Sequence, residues 1–412
     1  MVDTINQMPL TTHYKNVVKF LVNGTKDIGP IQLGPVYNIY STNSIEGNRF
    51  RISLGTPEKL KDLHFTGYLA YGDKDNRFKY GFTGLWLIKS AFPRTYVYGA
   101  YTYDVDHSSN YFDKVGNDNI FSYMFRKSGI PWKLAFKNES LLEFYKEYHS
   151  GFSHKLLLTH KEFTPYAPLP GAEIFVDNKG MPTNTVVNSE AELSLRYAYK
   201  EKFYEGKYLR VSLGSKYPIV QLKIAGGLKD VLNSAYDYQR LNLTISDWAP
   251  LPHLGTIYYS VFSGKYFGTL PYPLLEIVPG NEYHFYNAHA FEMMNKYEFI
   301  ADEYAGFIFE HDIGSGIFKY IPLLKKAKLR QLWTAKAIIG SLSNENKELN
   351  LAQNTYQFKS LEGNPYIELG TGMSNILEIF RVDFVWRVTP KPTAVESKSR
   401  YFGVFIGMQF NF

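Results

Sequence analysis

The last fourteen residues, 399–412, read S-R-Y-F-G-V-F-I-G-M-Q-F-N-F. Even positions carry Phe402, Val404, Ile406, Met408, Phe410 and Phe412, and odd positions carry Gly403, Gly407, Gln409 and Asn411, with Phe405 the one aromatic among them. A period of two held to the final residue gives a β-strand with one apolar face and one small or polar face. Two readings fit this pattern. It is either the edge strand of a soluble sheet or a strand that turns its apolar side to lipid.

Composition favours β-structure. Aromatic residues make up 17% of the 412, with 34 Tyr and 30 Phe, a density that suits strands and membrane-interface girdles better than a helical enzyme. Mean hydropathy is −0.26, and no run approaches the ~18 apolar residues of a transmembrane helix. Strands that face lipid with every second residue leave no such trace. Cysteine is absent, which excludes disulfides and thiolate metal sites and fits a cell-envelope protein. The formal charge of +6 is interspersed rather than gathered in a stripe, so no nucleic-acid partner is expected. The opening M-V-D-T-I-N-Q-M-P-L has neither a basic region nor an apolar core. An exported chain would then be a mature or truncated product, and a cytoplasmic protein is the alternative.

Strand length separates the two readings of the alternation. In 376–388 the even face is Ile376, Phe380, Val382, Phe384, Trp386 and Val388, interrupted by Glu378, while the odd face includes Arg381, Asp383 and Arg387. In 329–341, Leu329, Trp333, Ala335, Ala337 and Ile339 oppose Arg330, Thr334 and Lys336. In 302–312, Ala305, Phe307 and Phe309 oppose Asp302, Tyr304, Gly306 and Glu310. Such runs of about 11–13 residues match a tilted bilayer crossing and exceed the ~5–6 of globular strands. Further strands are expected at 35–40, 48–55, 64–72, 77–89, 95–104, 141–149, 152–163, 191–199, 207–213, 219–226, 256–267, 283–291 and 365–369. Residues 235–248 switch parity between Tyr238 and Leu241, which predicts a bulge near Gln239–Arg240. Residues 12–22 place Tyr14, Val17, Val18 and Leu21 at helical spacing, as a lead-in or plug. Residues 164–189, with Pro165, Pro168, Pro170 and Pro182, read as a long loop on the outer face, and 321–328 as a single helical turn.

The fold expected is all-β: a single antiparallel transmembrane β-barrel of about 16 strands with a short N-terminal helix. Residues 1–28 form the helical lead-in or plug segment and 29–412 the barrel. An interior charge network is expected from Glu46, Arg49, Arg51, Asp302, Arg330, Lys336, Arg381, Asp383 and Arg387, with Asp73, Asp75, Arg77 and Lys79 crowding a turn nearby. Charges in a low-dielectric interior must pair or meet water. They either line a pore and dock a plug or brace the wall.

Asp104, Asp106, His107 and Asp113 hold enough oxygen and nitrogen to suggest a divalent cation, but acidic polar loops of this kind are ordinarily solvated. Ser150, Ser153, His149 and His154 cluster at a hairpin tip with nothing to exclude water, and no Gly-x-Ser-x-Gly elbow, His-Glu-x-x-His or phosphate-binding glycine loop occurs. No catalytic residue, metal or cofactor is assigned.

Several segments resemble an outer-membrane barrel family of unknown function from Bacteroidetes-type bacteria, often fused behind a carboxypeptidase-regulatory-like β-sandwich. They are G-P-V-Y-N-I-Y-S-T-N-S-I-E-G-N-R-F-R (34–51), G-Y-L-A-Y-G-D-K-D-N-R-F-K-Y (67–80), Y-E-F-I-A-D-E-Y (297–304), I-P-L-L-K-K-A-K-L-R (321–330) and the terminal strand. The chain shows neither the family's signal peptide nor its sandwich, so a barrel-only piece and a short member are both open. A looser likeness, through Asn43-x-Ile45-Glu46-Gly47-x-Arg49 and the closing strand, links it to the barrels of the outer-membrane assembly and secretion superfamily.

The resemblance implies a Gram-negative outer membrane, membrane lipid as surroundings and the barrel-assembly machinery as a partner during insertion. Phe402, Val404, Ile406, Met408, Phe410 and Phe412 would then be the C-terminal assembly signal. The resemblance supplies a location and a fold but no reaction, and the role expected of the chain is a passive one: a porin-like channel or a membrane-embedded scaffold with a charged polar lumen. Assembly or export of other envelope proteins is the second possibility, and a barrel-embedded hydrolase the third. Because Asp383 falls on the interior face and Glu378 does not, Asp383→Ala is expected to lower refolding yield more than Glu378→Ala. The reverse order would invert the face assignment of that strand.

Overall fold

The computed structural model describes residues 24–57, 62–106, 125–205, 210–322, 326–391 and 401–408. The expected helix at 12–22 lies outside these residues, as do Phe410 and Phe412. One sheet dominates. β1 (Lys26–Ile28) pairs with β2 (Ile31–Leu33), and β2 and β3 (Tyr40–Asn43) both pair with β4 (Gly47–Gly55). The 35–40 stretch expected as a strand is instead a short helical turn at Val36–Asn38, which splits β2 from β3.

From β4 the sheet is an antiparallel meander in which each strand pairs with the next. It runs through β5 (Leu63–Gly72), β6 (Phe78–Lys89), β7 (Thr95–Asp106), β8 (Ala135–Glu147), β9 (Phe152–Pro165) and β10 (Val186–Tyr197). A side hairpin follows, β11 (Phe203–Glu205) with β12 (Arg210–Ser212). The meander resumes with β13 (Ile219–Gly227), β14 (Tyr238–Leu251) and β15 (Gly255–Phe267). The short pair β16 (Glu276–Ile277) and β17 (Ile300–Ala301) lies off the wall. Then come β18 (Glu303–Gly314), β19 (Arg330–Ser341), β20 (Tyr366–Ile376), β21 (Phe380–Thr389) and β22 (Phe402–Met408). Among the described residues no ladder joins β22 to the opening strands.

Connections alternate between two rims. Rim I carries the long segments 166–185, 268–302 and 342–365, and rim II carries the tight turns 148–151, 252–254 and 377–379 as well as the β11–β12 hairpin. The long segments fold inward. Leu270, Tyr272, Phe291, Met294 and Tyr297 of 268–302 are buried with Phe175 of 166–185 against inward side chains of β8 to β20. The proline-rich stretch expected as an outer loop is therefore partly interior. A helix, α1 (Asn344–Leu351), follows β19 where none was expected, its start capped by the Ser343 side chain accepting from the Asn346 N–H.

The two faces of the wall are dressed inversely to those of a soluble sheet. Ile52, Phe82, Leu193, Val261, Trp333 and Val404, from six strands around the sheet, are exposed, whereas Arg49, Lys79, Lys336, Arg381, Asp383 and Arg387 are buried. The alternations read in 302–312 and 329–341 hold. Residues 376–388 instead span a hairpin, with Glu378 exposed in its turn, which explains its intrusion into the apolar face. The bulge expected at Gln239–Arg240 is absent, and β14 keeps regular register with both neighbours. Tyr236 simply precedes the strand, and Tyr238 points inward, buried. Register shifts occur elsewhere, between Asp312 and Gly314 for example.

The turn into β15 depends on Gly255. Its φ is 87°, and an added Cβ would collide with the Asp312 carbonyl oxygen. Gly180 shares the backbone (φ 79°) but has open space around it. Gly255→Ala is expected to destabilise by about 2–3 kcal/mol and Gly180→Ala by about 1 kcal/mol in urea unfolding of the refolded protein.

Candidate functional site

The interior is built from charges that the sequence places on inward positions. In the β3–β4 turn, Asn43 Oδ1 accepts from the N–H groups of Ile45 (3.0 Å) and Glu46 (2.9 Å), and its amide donates to Glu46 Oε2 at 2.7 Å. This fixes Glu46 inward, buried beside Arg49 at 2.7 Å and Lys79 at 2.7 Å. Arg49 grips Asp104 with two bonds of 2.6 and 2.8 Å. Tyr68 donates to the same carboxylate at 2.6 Å, and Arg51 lies 3.7 Å over the Tyr68 ring. Lys79 also meets Asp75 at 2.5 Å. Carboxylates and cations alternate, so this end of the interior is neutral without solvent. Asp104 is thus committed to Arg49 and Tyr68, and Asp106 to Lys137 at 2.8 Å, which removes both from the cation site considered above. His107 and Asp113 lie outside the described residues.

A second assembly clamps segment 278–299. Lys336 donates to the carbonyls of Asn287 (2.8 Å) and Ala290 (2.6 Å) and pairs with Glu292 at 3.1 Å. Glu368 accepts the N–H groups of Glu292 (2.8 Å) and Met293 (2.7 Å) and the Tyr366 hydroxyl (2.7 Å). Arg381 binds Asp383 through two bonds of 2.8 Å, meets Glu310 at 3.1 Å and stacks 4.0 Å over Tyr286. Arg387 pairs with Glu298 at 3.0 Å. From across the interior, Lys133 reaches Glu282 at 2.5 Å and the Lys296 carbonyl at 2.7 Å. Strands β18 to β21 therefore each send a charged side chain into the clamp.

The residues expected as one network divide into separate groups. Glu46, Arg49 and Arg51 hold the opening hairpins, while Lys336, Arg381, Asp383 and Arg387 hold the infolded segment. Arg330 pairs with Asp312 at 2.8 Å near rim II. Asp302 accepts from Ser343 N–H (2.7 Å) and Asn346 Nδ2 (2.8 Å), fastening α1. Sequence reading missed Glu282, Glu292 and Glu298. The stretch beside them, 283–291, alternates well enough to pass for a strand, but it makes only isolated bridges. Of the hairpin-tip group, Ser150 Oγ accepts the Phe152 N–H, and His149 and His154 rest on Phe92 and Phe144.

The same segment reaches the edge of the last strand that joins no ladder among the described residues. Ile406 N–H donates to the His284 carbonyl at 2.8 Å, and Tyr286 N–H donates to the Ile406 carbonyl at 2.7 Å. On its other side, His284 N–H donates to Phe125 (2.7 Å) and Lys127 N–H to Glu282 (2.8 Å). Ile406 stands opposite Val382 of β21, so the backbone groups of Ile406 used here are those on the open edge. A neighbouring wall strand would take the same groups.

Residues 151–352, from the turn before β9 to the end of α1, match the family of unknown function (DUF5686) C-terminal domain. This agrees with the unknown-function family that the sequence resembles. No curated protein matches the chain. Among solved structures, the chain is similar to the crystal structure of BamA from Haemophilus ducreyi lacking POTRA domains 1-3. The TM-score is 0.52 at 10% identity, covering 90% of this chain and 69% of that one. The likeness is one of fold, and it agrees with the looser resemblance to outer-membrane assembly barrels.

One carboxyl makes the packing of the infolded segment sensitive to pH. Burial pushes Glu276 of β16 from 4.5 up to about 7, against hydrogen bonds from Tyr266 (3.0 Å) and Tyr304 and the nearby Arg240 and Lys223. An acid raised on folding contributes stability that is complete below its unfolded value of 4.5 and is lost as pH rises through about 7. Proteolysis within 268–302 is therefore expected to quicken between about pH 5 and about pH 8, following the open population. Glu276→Gln, which cannot ionise, is expected to flatten that rise.

Proposed function

We propose that this chain is an outer-membrane β-barrel protein, closed by about 16 strands, whose interior is stoppered by its own segment 268–302. It acts as a membrane-embedded scaffold with no chemistry of its own. The observation that carries this reading is the inversion of the wall. A belt of exposed Leu, Val, Ile, Phe and Trp runs round the outside while Arg, Lys, Asp and Glu are buried within. Soluble monomers rarely expose contiguous apolar patches beyond a few hundred Å², and a bilayer is the solvent that rewards this arrangement. Long rim I segments and tight rim II turns correspond to the outer and periplasmic sides of such barrels. Partners under this reading are outer-membrane lipid and, during insertion, the barrel-assembly machinery.

A specific observation supports a second reading, a part in assembling or exporting other envelope proteins. Among the described residues, the edge of β22 is held at Ile406 by an infolded segment rather than by a ladder to the first strands. A seam closed in that way opens by moving a loop, without breaking a full set of strand bonds.

Planar-bilayer conductance tests the stopper. The wild-type protein is expected to show no steady steps. Lys336→Met leaves Glu292 buried and unpaired, a loss of about 3–5 kcal/mol, and is expected to free the segment and produce ion-selective steps. Steady, large steps from the wild type would replace the scaffold by an open channel.

A further inference from the structure

The outer wall carries a cationic, aromatic corner at rim II. Its base is the apolar belt of β8, β9, β10 and β13, where Phe144, Leu156, Leu193 and Ile224 stand side by side in register. Toward rim II the belt turns aromatic. Tyr148 lies 5.8 Å from Phe152, Tyr197 lies 6.5 Å from Tyr199, and Tyr199 lies 5.3 Å from Tyr217. The four tyrosines, Tyr148, Tyr197, Tyr199 and Tyr217, are 37–46% exposed.

Lysines edge the same surface. Lys146 Nζ sits 5.2 Å over Tyr148 and Lys200 Nζ 5.1 Å over Tyr199. Lys202 and Lys216 are exposed on the stem of the β11–β12 hairpin, where backbone bonds between Lys202 and Leu213 (2.8 Å) and Gly214 (3.0 Å) fix their spacing. The neighbouring acids are neutralised internally. Glu147 is bonded to Arg210, the Arg94 N–H and Tyr145, and Glu201 to Arg196 at 2.6 and 2.7 Å. Among the described residues this corner exposes four lysines and no acid.

We propose that this corner is a binding surface for anionic phospholipid headgroups of the leaflet at rim II. The assignment rests on the bilayer reading above and deepens it. Amphipathic Tyr rings sit at headgroup depth, and lysines just beyond them meet phosphate while their stems lie along the rings. Continuity of the aromatics with the apolar belt selects a lipid over an acidic protein, which would not need the belt beneath it. A lysine near an anionic surface counts for about fivefold in affinity, and the attraction is screened by salt.

The test compares the full chain reconstituted into phosphatidylcholine vesicles and into equal mixtures of phosphatidylcholine and phosphatidylglycerol. Phosphatidylglycerol enrichment around the protein is read by quenching of intrinsic fluorescence with a labelled lipid. The wild type is expected to enrich the anionic lipid at low salt and lose the enrichment at high salt. Joint substitution of Lys146, Lys200, Lys202 and Lys216 by Gln is expected to lower the relative affinity for the anionic lipid at least about tenfold and so to abolish most of the enrichment. Lys179→Gln with Lys229→Gln, which removes exposed charge from rim I, should leave it unchanged. Equal enrichment in the fourfold variant and the wild type overturns the headgroup site while leaving the bilayer reading intact. Failure of the wild type to enter either vesicle overturns both.

Discussion

The interior of this protein depends on the Lys336 ammonium. It is buried on β19, satisfies two carbonyls of the infolded segment and faces Glu292. An unpaired ammonium there would cost several kcal/mol, and so would an unpaired Glu292. Neither residue is tolerable without the other, so the wall strand and the segment specify each other. The same reciprocity holds for Arg387 with Glu298 and Lys133 with Glu282. Burial pushes the Glu292 carboxyl upward despite Lys336, so even the paired site bears a desolvation cost. Buried pairs of this kind add little net stability over apolar packing, but they penalise every wrong placement of the segment.

That specificity matters because the apolar contribution is not directional. Segment 268–302 buries Tyr272, Phe291, Met294 and Tyr297 in a common core with Phe163, Tyr304 and Tyr366 of the wall. Such a cluster would accept neighbouring registers at modest cost. The ion pairs remove that freedom, and in doing so they carry residues 284–286 to the edge of β22. The contact at Ile406 is thus a consequence of the clamp. Its two backbone bonds are worth about 1 kcal/mol each, less than the about 3–5 kcal/mol that breaking one of the buried pairs would cost.

The strand faces were legible in the sequence wherever a strand was long and strictly alternating. Arg381, Asp383 and Arg387 lie inward as their parity requires, and Trp333, Phe307 and Val404 outward. Misreadings came where a turn was short or a partner distant. Glu378 looked like a flaw in a strand because a three-residue turn at 377–379 leaves no Gly or Pro signature. Tyr236 and Tyr238 suggest a bulge because inward aromatics have the same apolar character as the outer face. The infolded segment was read as a wall strand at 283–291 because local alternation cannot distinguish a sheet from a chain lodged against one. What fixes it inside is Glu282, Glu292 and Glu298 meeting cations that lie from 44 to 149 residues away in sequence, and periodicity carries no such information.

Wall and stopper also differ in how they can be undone. The wall is a continuous ladder, with ten or more residue pairs between each of several neighbours. Opening any of those interfaces would expose many backbone groups at once, which a low-dielectric surrounding forbids. The infolded segment is held instead by side chains, an apolar cluster and a few charged contacts. At β22, the described edge is bonded to that stopper and not to a ladder. Moving the segment would therefore free the interior and the β22 edge in a single step, so under the bilayer reading a change that unplugs this protein also loosens its seam.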